Sequence, residues 1–159
     1  MNRILVSIVT AGLVWVTAAG VASADKLSEL KAVAKVQYTR IYTDSEGETH
    51  FEDLEIELAE VDFAPPAPPV KLSAFTSATQ WAFFAIPPGW NGDWHPTPRR
   101  QIFFYLVGQT EIEVTDGTIR RFGPGDAIIV EDTTGKGHRS RVVGDETALQ
   151  VVVQMPDNE

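Results

Sequence analysis

The sequence predicts an all-β fold, a single small barrel or sandwich of short strands joined by tight turns. Two observations carry this. From Gln80 onward, apolar and β-branched runs of four to eight residues recur at regular spacing, bounded by Gly, Pro and Asp. After residue 36 no stretch has a convincing helical period. A chain of 159 residues fits one domain with a real hydrophobic core.

Taken in order, the chain opens with MNRILVSIVTAGLVWVTAAGVASA, in which Arg3 is the only charge and Ala22-Ser23-Ala24 follows an apolar run. A basic start, an apolar middle and a small-residue end form a secretory leader. Cleavage is expected after Ala24, giving an exported, secreted or periplasmic chain without a stable membrane anchor. The alternative is an uncleaved membrane anchor, since the run is near spanning length. KLSELKAVAKV (26–36) is a short helix or a lead-in to the strand VQYTRIYT (36–43). DSEGE (44–48) is turn chemistry. HFEDLEIEL (50–58) then alternates Leu54, Ile56 and Leu58 with Glu55 and Glu57, so 36–58 reads as a hairpin.

FAPPAPPVKL (63–72) holds four prolines, which remove donors and fix φ. The expectation there is no regular structure but an extended arm packed along the body of the domain. The expected organisation is a leader (1–24), a hairpin with a proline-rich arm (25–79) and a β core (80–154). The core strands are WAFFAI (81–86), the run after Gln101, TEIEVT (110–115), TIRRF (118–122), AIIVE (127–131), HRSRVV (138–143) and TALQVVVQ (147–154). Asp116-Gly117 is a hairpin-turn signal, and GPGD (123–126) is a second turn.

Cysteine is absent, so neither disulfides nor thiolate chemistry are available. The formal charge is −9, and loss of Arg3 with the leader would make it one unit more negative. Such a chain has no long-range attraction for nucleic acid or anionic membrane.

The stretch GWNGDWHPTPRRQIFFYLVG (89–108) carries the chemistry. Gly89, five residues, His95, then Gln101, six residues and Gly108 follow a glycine–histidine–acid–glycine spacing; PGDAIIV (124–130) and His138 follow later. On these residues the chain resembles the cupin superfamily, small jelly-roll β-barrels with two recurring motifs, over roughly 80–154. In the family the first motif carries H-x-H and a glutamate. Here the second histidine position is Thr97 and the glutamate position is Gln101. In the second motif, EDTTGKGH replaces the usual turn and places His138 about two residues late.

The resemblance implies a single jelly-roll barrel preceded by the hairpin and arm, and a homodimer formed by pairing or exchanging edge strands. The family's three-histidine, one-carboxylate set holds Fe, Mn, Ni or Zn. A metal bound here would use His95, His138 and Gln101. Loss of one imidazole and one anion removes most of that affinity, so no tightly held metal is expected. His50 is a conceivable replacement ligand that no spacing requires.

On a strand, residues two apart share a face, so His95, Thr97, Arg99, Gln101, Phe103 and Tyr105 are expected to point into one interior. His95 and His138 are the expected catalytic pair, acting as general acid and base. Thr97, Arg99, Gln101 and Tyr105 are the expected ligand-binding residues, Arg99 suited to a carboxylate or enolate. Alternatively Arg99 and Arg100 sit at the mouth and pair with Asp93, Glu131 or Asp132. The leading expectation is a small organic ligand, possibly anionic, with metal-free acid–base chemistry. The alternatives are a metal-dependent dioxygenase or isomerase, and a carbohydrate-binding or structural envelope module using exposed tryptophans.

Overall fold

The computed structural model describes residues 35–156. The expected leader with its Ala24 cleavage point, and the helix expected from residue 26, fall outside the described residues. Lys35 and Val36, at the end of that expected helix, belong to the first strand.

The described residues contain strands and no helix: β1 Lys35–Thr43, β2 Thr49–Glu57, β3 Ala59–Val61, β4 Val70–Leu72, β5 Gln80–Ile86, β6 Gln101–Val107, β7 Gln109–Glu113, β8 Ile119–Phe122, β9 Ala127–Val130, β10 Arg139–Val143 and β11 Ala148–Gln154. Six form one sheet in the order β2-β1-β9-β6-β11-β5, and three form a second in the order β10-β7-β8. All pairings are antiparallel except β1 with β9. The two sheets pack face to face as the jelly roll the motifs imply, and the sandwich is not closed all round.

The hairpin β1–β2 is part of the main sheet, because Thr39, Arg40 and Ile41 lie opposite Ile128, Ile129 and Val130. The first residue of β2 also touches the segments that flank β7 and β10 of the second sheet. Thr49, fully buried, donates through Oγ1 to the Gly137 carbonyl at 2.8 Å, and its backbone N–H donates to Thr115 Oγ1 at 2.6 Å.

The proline segment differs from expectation. Val70–Leu72 is a strand paired with Ala59–Val61, because the four prolines lie at 65–69 and leave the residues beyond them with free N–H donors. The chain after it, through Ser73, Thr76, Ser77 and Ala78, borders an apolar groove on the six-stranded sheet shared with Val36, Tyr38, Ile102, Phe104 and Ile129.

Between the sheets Ile41, Tyr105, Ile112, Val114, Phe122, Ile128 and Val130 form the main core, with Phe51 and Phe103 against it. Each such aliphatic or aromatic side chain contributes about 1.5–3 kcal/mol on burial. Tyr105, Ile112, Ile128 and Val130 of this core also form part of the wall of a cavity between the sheets.

Candidate functional site

The cavity, about 350 Å³, lies between β5, β6, β9 and β11 on one side and β7 and β10 on the other. Its walls are mainly apolar, from Phe84, Ile86, Trp90, Phe103, Ile128 and Val152. The polar groups facing it include His95, His138, Thr97, Gln101, Tyr105 and Gln150. No Lys, Arg, Asp or Glu lines it.

His95 and His138 meet across its mouth. Their backbones exchange two hydrogen bonds, each 3.0 Å, in an isolated antiparallel bridge. The ring centroids are 4.9 Å apart, tilted by 51°. Gly137 permits this approach. Its φ is +75°, and a Cβ there would lie 2.0 Å from the His95 carbonyl oxygen.

Each ring is held at one nitrogen. His95 Nδ1 lies 2.7 Å from the Asp93 carbonyl oxygen. A carbonyl only accepts, so Nδ1 carries the proton and the neutral ring keeps its lone pair on Nε2. His138 Nδ1 lies 2.6 Å from Asp132 Oδ2 and donates to that carboxylate. Asp132 is fully buried, and its Oδ1 has no hydrogen-bond partner. A buried carboxylate behind an imidazole fixes the tautomer and stabilises the imidazolium that forms when Nε2 takes a proton.

The loop bearing Asp132 is anchored by its neighbour. Glu131 receives Arg40 Nε at 2.5 Å and also pairs with Arg100 Nε. Burial alone would raise the Glu131 carboxyl, but hydrogen bonds from Arg100 and Arg40 outweigh it and hold the group below the usual carboxylate range. The segment before β6, strand β1 and the Asp132 loop are thereby tied together.

The expected residues divide as follows. Thr97 (3 % exposed) and Gln101 (7 %) reach the cavity and bond each other, Gln101 Nε2 donating to Thr97 Oγ1 at 3.0 Å, while Thr97 Oγ1 donates to the Arg99 carbonyl. Tyr105 lies deeper, its hydroxyl 2.6 Å from Thr110 Oγ1. Burial pushes the Tyr105 hydroxyl up to about 12, with the Thr110 contact opposing, so it serves as a neutral hydrogen-bonding group.

Arg99 is the correction. It is exposed and absent from the cavity wall, because the strand starts at Gln101 and Pro96 and Pro98 break the alternation that would have turned it inward. Arg100 pairs with Glu131, one of the alternatives the sequence allowed, whereas Asp132 is a buried partner of His138 and no surface ion pair. His50 lies outside the cavity wall, with Nε2 2.9 Å from Asp44 and Nδ1 2.9 Å from Asp116. With both nitrogens against carboxylates it has no lone pair to offer a metal.

Two roles escaped the sequence reading, the support Asp132 gives His138 and the place of Gln150 in the cavity wall. Asp132 had a local signal, an acid six residues before a histidine in a glycine-containing loop. Gln150 had a periodic one, since Gln150, Val152 and Gln154 share a strand face and all three line the cavity.

A metal of the kind the family uses would find two free imidazole nitrogens, one hydroxyl and one amide. Among the described residues no cluster of three or more His, Asp or Glu could hold an ion. With no anionic donor and only two imidazoles, the site does not fit a tightly held first-row divalent cation.

The cupin-domain family model (Cupin_2) matches residues 82–154. No curated protein matches the sequence. Among solved structures, the chain is similar to a Cupin 2 conserved barrel domain protein from Salinispora arenicola (18 % identity, 64 % of this chain and 76 % of that one, TM-score 0.42). It is similar to the DMSP lyase DddQ from Ruegeria pomeroyi (25 % identity, 64 % and 48 %, TM-score 0.43). It is also similar to the Cnp3 cupin domain of Schizosaccharomyces pombe (13 % identity, 80 % and 88 %, TM-score 0.41). With the motifs at Gly89–Gly108 and from Pro124, and the family model that spans them, residues 82–154 are a cupin domain.

Proposed function

We propose that the cavity binds a small organic molecule and that His138, oriented by Asp132, transfers a proton to or from it without a metal, with His95 as the second imidazole. The observation that carries this is the Asp132–His138 pair. Its Nδ1–H is fixed on a buried carboxylate at 2.6 Å, and Nε2 has no partner among the described residues. Nε2 of His138 takes a proton from the ligand, the imidazolium is balanced by Asp132, and the proton returns to another atom of the same ligand. Ligand and protein end with the atoms they began with, so no co-reactant is required. His95, with the lone pair on its own Nε2, can accept a proton from the ligand and return it in the same way.

The absence of charge in the wall favours an uncharged ligand over an anionic one. With Arg99 outside, an anion would be desolvated against Phe84, Phe103 and Ile128, and the only cation deep in the wall would be an imidazolium already balanced by Asp132.

The test is a small-molecule screen by ligand-observed NMR on protein purified without chelators, alongside metal analysis. Ligands that bind the parent and are lost from His95→Ala and His138→Ala are expected. If both variants bind every hit as the parent does, the cavity is not the site and an envelope-module role gains.

A metal-dependent reading has one observation in its favour: a carboxylate behind a histidine, as in Asp132–His138, is also how metal-ligating histidines are held. Stoichiometric Fe, Mn, Ni or Zn in the purified protein would establish it and end the metal-free proposal.

The proposal extends to an exported chain processed after Ala24, supported by the leader sequence and tested by intact mass of the mature protein. It also extends to a homodimer, which light scattering showing a monomer at micromolar concentration would remove.

A further inference from the structure

Gln150 is a polar side chain of the cavity wall that the proton transfer does not use. It lies on β11 and is 2 % exposed. The strand register places it opposite Phe84 on β5 and Tyr105 on β6. It lines the cavity, yet its carboxamide has no hydrogen-bond partner among the described residues.

Its polar neighbours are already engaged. Tyr105 bonds Thr110, Gln101 bonds Thr97, and Gln154 accepts from Gln80 Nε2 at 2.5 Å. A buried amide is almost always hydrogen-bonded, because stripping water from it without a substitute is unfavourable. An amide without a protein partner that faces a cavity is placed to meet something that enters.

We propose that Gln150 is the polar anchor of the cavity and that the ligand is an uncharged amide or lactam, its carbonyl accepting from the Gln150 amide N–H and its own N–H donating to Oε1. The assignment rests on the small-molecule reading of this cavity. A carboxamide offers a donor beside an acceptor, and another amide satisfies both at once. A carboxylate would meet Oε1 with like polarity and find no Lys or Arg in the wall. A ketone or ester would leave Oε1 unmet. The apolar remainder of the ligand would lie against Phe84 and Phe103, whose ring centroids are 5.8 Å apart.

The experiment compares benzamide, N,N-dimethylbenzamide and benzoate, probes of similar size, by calorimetry and by the side-chain amide resonances of Gln150. The purified protein and Gln150→Leu are used. Benzamide is expected to bind and to shift the Gln150 amide signals. The other two are expected to bind at least about tenfold more weakly, the effect of one or two lost hydrogen bonds. In Gln150→Leu the advantage of benzamide over its dimethyl analogue disappears. The thermal midpoint of that variant is expected to stay level or rise, since it replaces a cavity-facing amide that has no protein partner by an apolar group of similar volume.

A midpoint lowered by more than about 5 °C would make Gln150 a structural residue and overturn the proposal. So would benzoate binding as tightly as benzamide, or benzamide binding unaffected by the substitution. If none of the three binds while other molecules fill the cavity in a His138-dependent way, this inference falls and the proton-transfer proposal stands. If nothing occupies the cavity at all, both fall.

Discussion

His50 and His138 carry the same ring and both face aspartate, but they are held differently. His50 has a carboxylate at each nitrogen, Asp44 and Asp116, both 2.9 Å away, and is partly exposed. Hydrogen bonds to Asp44 and then Asp116 raise its pKa; the bond from His50 lowers Asp44, while Asp116 is lowered first by Thr118 and then by His50. The ring links the β1–β2 turn to the β7–β8 turn. His138 is buried, with one nitrogen on Asp132 and the other free beside the cavity. An imidazole held at both ends is a clamp, and one held at a single end can still take a proton. The number of free nitrogens separates the two roles.

The strongest way to break this contrast is at Gly137. Alanine there would need the left-handed backbone at φ +75° and would drive a Cβ into the His95 carbonyl. We expect a loss of about 3 kcal/mol in urea unfolding, in the range of severe backbone and packing conflicts. A variant as stable as the parent would show that the His95–His138 bridge is not a rigid part of the fold.

Next is Glu131→Ala. It removes a carboxylate whose side chain is 11 % exposed and which holds Arg40 and Arg100. Both arginines are partly solvated, so the expected cost is about 2 kcal/mol, below that of breaking a fully buried pair. Because the folded-state pKa is depressed, the contribution is present above the unfolded carboxylate range and is lost as pH falls through the folded value. Parent and variant should therefore converge in acid. A gap that persists unchanged at low pH would mean the loss is one of packing.

The smallest energetic effect is at His50. Substitution by alanine is expected to cost less than about 1 kcal/mol near pH 6, as for partly exposed ion pairs. A raised pKa puts the stabilisation below the unfolded histidine value and removes it as pH rises through the folded one. The difference should vanish in mildly alkaline solution. If it grew with pH, the clamp reading would be wrong.

A spectroscopic measurement sharpens the comparison without perturbing it. Long-range ¹⁵N–¹H correlation should show His95 and His138, when neutral, with the proton on Nδ1. A neutral Nε2–H form for His138 would contradict its hydrogen bond to Asp132.

Much of this was legible in order along the chain. The alternation in 50–58, the apolar runs after Gln80 and the Asp116-Gly117 turn lead to the observed strands, because side-chain period and turn chemistry are local properties. The spacing from Gly89 through His95 to Gly108 carried the family, and the structure brings His95, Thr97, Gln101, Tyr105 and His138 to one cavity. Arg99 departed because strand parity was extended through Pro96 and Pro98, where no strand exists. The β4 strand was missed because the prolines were allowed to govern the three residues that follow them.

By itself the sequence determined the all-β class, the lack of cysteine chemistry and the replacement of two family ligand positions by Thr97 and Gln101. Those follow from residue type and short-range pattern. Only the tertiary structure decided that Asp132 sits behind His138, that His50 is clamped shut, and that Gln150 faces the cavity without a partner. Each depends on which elements the two sheets bring together across the sandwich. A side chain's free nitrogen or unmet amide is defined only by neighbours distant in sequence.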